Sequence, residues 1–181
     1  MQIRRALLLL ACVVASVALT GCGFHLRRSA ALPAVMQQRV YLQVNGGGEF
    51  ARSLAASLRA SKVDVLDAPA AGVATLAVPV AAFSSRLLGG TGYQQVGQYS
   101  VGFHVEFTLT AADGQAVIPA QAVDLAHEFA VDQTQFSAIA SETQAIERSL
   151  VREMTDAVMR RLEAQAHAGT VAAPARAASA G

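Results

Sequence analysis

Between Gln98 and Thr110 the chain alternates without a break. Tyr99, Val101, Phe103, Val105, Phe107 and Leu109 take every second place, and Gln98, Ser100, Gly102, His104, Glu106, Thr108 and Thr110 fill the places between. Successive side chains of a strand point to opposite sides, so this segment forms a strand with one dry and one wet face. A sheet built around it needs cover on one side only, and its other face stays polar. The remaining segments must supply its strand partners and that cover.

Asp113-Gly114 directly follows, a pair suited to the positive φ angles of a tight hairpin turn. The return strand is predicted from Gln115 to about Val131, with Val117, Val123, Leu125, Phe129 and Val131 on its dry face and an irregularity near Pro119. Upstream, Ala74 to Phe83 reads as a strand whose Pro79, having no N–H to donate, marks an edge or a bulge. Ser84 to Val96, with Gly89, Gly90 and Gly92, reads as a mobile loop. Arg39 to Val44 also alternates and is the first strand, and Val63 to Leu66 is a brief extended piece.

The cover comes from two helices. Phe50, Leu54 and Leu58 recur every four residues in a short helix ending at Ala60. From about Ser137 to Gln165, Ile139, Ile146, Leu150, Met154, Val158 and Leu162 form the apolar stripe of a long one. The order β-α-β-β-β-α predicts an α+β domain over residues 39–166, with two helices on one face of a four-stranded mixed sheet. Its first crossover joins parallel strands and its last three strands form an antiparallel meander. Residues 167–181 are too poor in large apolar groups to repay ordering and are expected to be a disordered Ala/Pro-rich tail.

Residues 1–21 have the layout of a secretory leader, with Arg4 and Arg5 ahead of an apolar run from Ala6 to Leu19. That run is shorter than the roughly 20 residues a spanning helix needs. Leu19-Thr20-Gly21-Cys22 has the form of a lipobox, predicting cleavage between Gly21 and Cys22, diacylglycerol on the thiol and an acyl group such as palmitate on the new amine. With each buried methylene contributing about 0.8 kcal/mol, three chains would hold the protein to the outer membrane as a lipid-anchored, periplasm-derived lipoprotein. Residues 22–38 are then a lipidated tether. Cys12 leaves with the leader, so the mature chain has no thiol and its stability must come from a hydrophobic core.

The chain has 14 basic and 13 acidic side chains, and loss of Arg4 and Arg5 leaves it slightly acidic, which excludes a basic field for nucleic acid. Asn45-Gly46-Gly47-Gly48 before a helix invites a phosphate-loop reading, but the Lys and Ser/Thr that should follow are missing and a turn is the better account. His104 and Glu106 share a wet strand face where an acid/base pair could sit. No nucleophile or third partner is evident, so solvated strand residues are preferred. His25, His127 and His167 lack ligand spacing, so neither a metal nor a cofactor is expected. These residues point to a binding component and not to an enzyme.

Gly23-Phe24-His25-Leu26-Arg27, directly after Gly21-Cys22, resembles the start of the LPS-assembly lipoprotein family, LptE. Leu54 to Asp67, Tyr99 to Leu109, and Leu150 to Leu162 are similar to the family's first helix with the following strand entry, its central strand and its final helix. The resemblance implies two helices on one side of a four-stranded sheet. It also implies a plug in the lumen of an LptD-type outer-membrane β-barrel, which it helps to assemble and with which it delivers lipopolysaccharide to the outer leaflet. An LPS-binding role through basic residues is implied as well, for which Arg86 is the nearest candidate and a solvated loop residue the alternative. His104, Glu106 and Thr108 are the candidates for facing the barrel. The competing reading is a generic outer-membrane lipoprotein that binds a periplasmic partner or apolar ligand on its sheet.

Overall fold

A computed structural model describes residues 32–90, 96–132 and 136–172. The elements are β1 (Arg39–Val44), α1 (Gly48–Ala60), β2 (Asp64–Leu66), β3 (Ala74–Gly90), β4 (Val96–Thr110), β5 (Ala116–Asp132) and α2 (Phe136–Ala172), preceded by a 3-10 turn at Ala34–Met36. They form a five-stranded sheet in the order β2-β1-β3-β4-β5. β1 is parallel to β2 and β3, and β3, β4 and β5 are antiparallel. The expected meander and parallel crossover are therefore present, but the sheet has five strands where four were expected.

The extra strand follows from how α1 ends. Lys62 adopts φ +67, and the N–H groups of Lys62 and Val63 donate to the carbonyls of Arg59 and Leu58 at 2.9 and 3.1 Å. This left-handed cap reverses the chain. The N–H of Asp64 then donates to the Gln38 carbonyl at 2.9 Å, and Asp64–Leu66 pair with Arg39–Tyr41. At the other end of α1 the glycine run is a structural turn. Gly46 and Gly47 have φ +81 and +54, and a Cβ at Gly47 would lie 2.9 Å from the Cβ of Ala81.

Both helices cover the dry face. Phe50, Leu54 and Leu58 of α1 and Ile146, Leu150, Met154, Val158 and Leu162 of α2 join Val101, Phe103, Val105, Phe107 and Leu109 of β4 in one buried cluster. Each such side chain contributes roughly 1.5–3 kcal/mol when fully buried. The helices are tied by a 3.0 Å hydrogen bond in which the Ser53 hydroxyl donates to the buried Thr155 Oγ1, whose own proton goes to the Val151 carbonyl at 2.8 Å. Leu32 and Met36, in the stretch read as a tether, are also buried in this core. The chain thus docks before β1 begins.

Three boundaries differ from expectation. Ser84–Gly90 is not a loop but the outer half of β3, paired with residues 97–102 of β4. The glycines do not end the strand because Phe83 and Leu87 continue its alternation with Ser84 and Arg86. Second, α2 runs on to Ala172, beyond the expected end of the domain at residue 166, on a run rich in alanine. Third, Ile118 and not Val117 is fully buried at the start of β5, because the register with β4 shifts between Phe107 and Leu109, opposite Pro119. The expected bulge at Pro79 is present as a register shift between Ala77 and Val80.

Candidate functional site

The uncovered sheet face is built from the alternate residues of β3, β4 and β5. Register places Ala82, His104 and Asp124 side by side in one row, Val80, Glu106 and Ala122 in the next, and Arg86, Ser100 and Glu128 nearer the far end. His104 Nδ1 lies 2.7 Å from Asp124 Oδ1 and its Nε2 3.3 Å from Glu106 Oε1. The two carboxylates bracket the ring, and hydrogen bonding to Asp124 and then to Glu106 raises the His104 pKa above its ordinary value. Protonated, the imidazole donates to both and links β4 to β5. Its nitrogens point away from each other, so the three groups do not converge on a common point where a metal or a reacting atom could sit. The arrangement stores charge and fixes two strands.

Sequence reasoning found His104 and Glu106 but missed Asp124, which only strand pairing brings alongside. Thr108 is half-buried on the same face. Arg86 is exposed on β3, in register with Ser100, which is itself buried. Gln98 donates to Glu128 at 3.0 Å across the β4–β5 pair. His127 falls on the opposite face, where its Nε2 lies 3.0 Å from Glu153 of α2. Cys22 and Gly21, with the motif Gly23, Phe24, His25, Leu26 and Arg27, lie outside the described residues.

A second feature was not anticipated. The strands β3 and β4 extend past the start of α1, so the outer end of the dry face has no α1 above it. Phe83 stacks on Phe103 at 4.1 Å yet is 37% exposed, and Leu87, Leu88 and Val96 are exposed as well. Arg86 and the exposed apolar side chains of Phe83 and Leu87 therefore share one projecting end of the sheet, on opposite faces. The period-two run from Phe83 to Leu87 was the signal for this, masked by the glycines behind it. No described helix is long and apolar enough to cross a membrane.

A family model described as LptE, lipopolysaccharide-assembly, matches residues 37–162. Three solved structures share the fold. A lipoprotein B from Nitrosomonas europaea is 18% identical with a TM-score of 0.64, covering 83% of this chain and 97% of its own. The rare lipoprotein B from Shewanella oneidensis is 17% identical with a TM-score of 0.61, covering 70% and 95%. A minor lipoprotein from Acinetobacter baumannii is 14% identical with a TM-score of 0.60, covering 71% and 92%. Among curated protein sequences none matches. With the family match spanning β1 through most of α2, the chain belongs to the LptE lipopolysaccharide-assembly family.

Proposed function

We propose that this protein is an outer-membrane lipoprotein, anchored through acylated Cys22, that sits in the lumen of an LptD-type barrel, helps to assemble it and takes part in delivering lipopolysaccharide to the outer leaflet. The observation that carries the reading is the family match over residues 37–162. The one-sided architecture supports it. A barrel lumen is polar, and a domain with helices over one sheet face can present the other, with His104, Glu106 and Thr108, to such a wall without desolvating a large apolar surface. The role is one of binding and assembly and requires no catalytic step.

Within this reading the projecting end of β3 and β4 is the place to meet lipopolysaccharide. Arg86 supplies a cation for phosphate, while Phe83 and Leu87 supply apolar surface for acyl chains. Glu106 and Asp124 on either side of His104 disfavour an anion in that row, so contact is assigned to the outer end of the sheet.

The test is site-specific photo-crosslinking in intact cells. A photoreactive residue replacing Thr108 is expected to give one dominant adduct with a large outer-membrane barrel protein. One replacing exposed Arg152 on α2 serves as the comparison. Depletion of the protein is expected to leave the barrel misassembled and the cells permeable to bulky hydrophobic antibiotics. Absence of a dominant adduct at Thr108, with an intact barrier after deletion, would leave only a generic lipoprotein.

A further inference from the structure

The other edge of the sheet carries an unfilled strand position. β2 pairs with β1 only as far as the Tyr41–Leu66 pair, while β1 continues to Val44. After Leu66 the chain leaves the ladder, and Ala70–Val73 turns it into β3.

Which backbone groups are left open follows from two hydrogen bonds. Gln38 accepts from Asp64 on the β2 side, and Asn45 donates to Val78 on the β3 side. Residues of a parallel strand direct their N–H and C=O alternately to the two neighbours, so the even-numbered residues of β1 face β2. Beyond Leu66, the carbonyl of Leu42 and both backbone groups of Val44 therefore face an edge with no strand on it. Beside this edge runs a groove of about 530 Å³ with Leu42, Val44 and Ala55 on its apolar side. Arg52 and Arg59 of α1 stand along it, with Asp67 at the β2 end. Among the described residues neither guanidinium is ion-paired.

We propose that this groove takes an extended acidic-apolar segment of a partner protein, added to β1 as a strand beyond β2. One apolar side chain enters over Leu42, Val44 and Ala55, and carboxylates two residues to either side, which share its face, meet Arg52 and Arg59. Strand addition uses main-chain hydrogen bonds for affinity and alternate side-chain pockets for selection, and both are present here. The charge identifies the occupant. The chain's own segments outside the described residues carry Arg27 and Arg28 on one side and Arg176 on the other, with no aspartate or glutamate, so they are repelled by the two arginines. This surface is separate from the polar sheet face and does not depend on the role given to that face.

The test uses the full chain in detergent micelles with an N-acetylated, C-amidated peptide Glu-Ser-Val-Ser-Glu, whose glutamates and valine share one face of a strand, and its lysine counterpart Lys-Ser-Val-Ser-Lys, read by amide hydrogen exchange and by titration. The acidic peptide is expected to slow exchange at Val44, and the lysine peptide is not. Replacing Arg52→Glu and Arg59→Glu together is expected to weaken the acidic peptide at least about tenfold and reverse the preference. Val44→Pro, which removes the outward N–H, is expected to abolish binding, with far-UV circular dichroism unchanged. No protection at Val44, protection at the β5 edge instead, equal binding of both peptides, or protection by anionic phospholipid vesicles in place of the peptide would each overturn the proposal.

Discussion

Phe103 offers the most informative single truncation. It is 1% exposed, meets the Phe50 ring edge-on at 5.5 Å and stacks on Phe83 at 4.1 Å with an interplanar angle of 13°. It therefore joins α1 to the projecting part of β3. Phe103→Ala removes a fully buried ring, a loss of about 3–5 kcal/mol. Since a whole domain holds roughly 5–15 kcal/mol, the melting temperature should fall by on the order of 10 °C. Phe83→Ala acts on a ring with an open side and should cost about 1–2 kcal/mol. Because the two rings stack, the double variant should lose less than the sum by about 0.5–1.5 kcal/mol. The assay is urea denaturation followed by far-UV circular dichroism, as the chain has no tryptophan. A loss below about 1 kcal/mol for Phe103→Ala, or strict additivity with Phe83→Ala, would refute the packing described here.

Further outcomes are expected. Gly47→Ala should cost about 1–3 kcal/mol, because it combines φ +54 with a Cβ contact of 2.9 Å to Ala81, whereas Lys62→Gly should stabilise by about 0.5–1 kcal/mol by relieving φ +67; thermal melts compare the two. The His104 clamp should make stability depend on pH. Its folded pKa is raised, so its contribution is complete below the ordinary imidazole range and is lost as pH rises through the raised value. The stability difference between the wild-type protein and His104→Gln, measured by urea denaturation, should therefore be larger at about pH 5.5 than at about pH 8.5. Cys22→Ala should leave the leader uncleaved and the chain unacylated, as read by mass spectrometry of the membrane fraction.

The parts of the fold that were legible are those where periodicity and burial coincide. The alternation of Tyr99 to Leu109 and the stripe from Ile146 to Leu162 each predict a buried face, and packing them together requires no further information. What periodicity could not supply was the reach of each element. Gly89 and Gly90 look like loop residues when strand propensity is summed locally, yet pairing with β4 carries the strand through them. Val63 to Leu66 reads as extended, but the addition of β2 to the sheet depends on a left-handed lysine that no local preference favours.

The candidate site divides along the same line. His104 and Glu106 lie two residues apart on one strand, so alternation alone places them on one face. Asp124 is separated from His104 by a hairpin whose register includes a bulge, and a one-residue slip would turn it to the other face. Phe107 and Ile118 are both fully buried on the covered face near this bulge, which argues that core packing fixes the register. The same packing then sets the carboxylate beside the imidazole. Thus the charge pattern of the polar face is a consequence of how the dry face packs. Substitutions near Pro119 should disturb the His104 row without touching it.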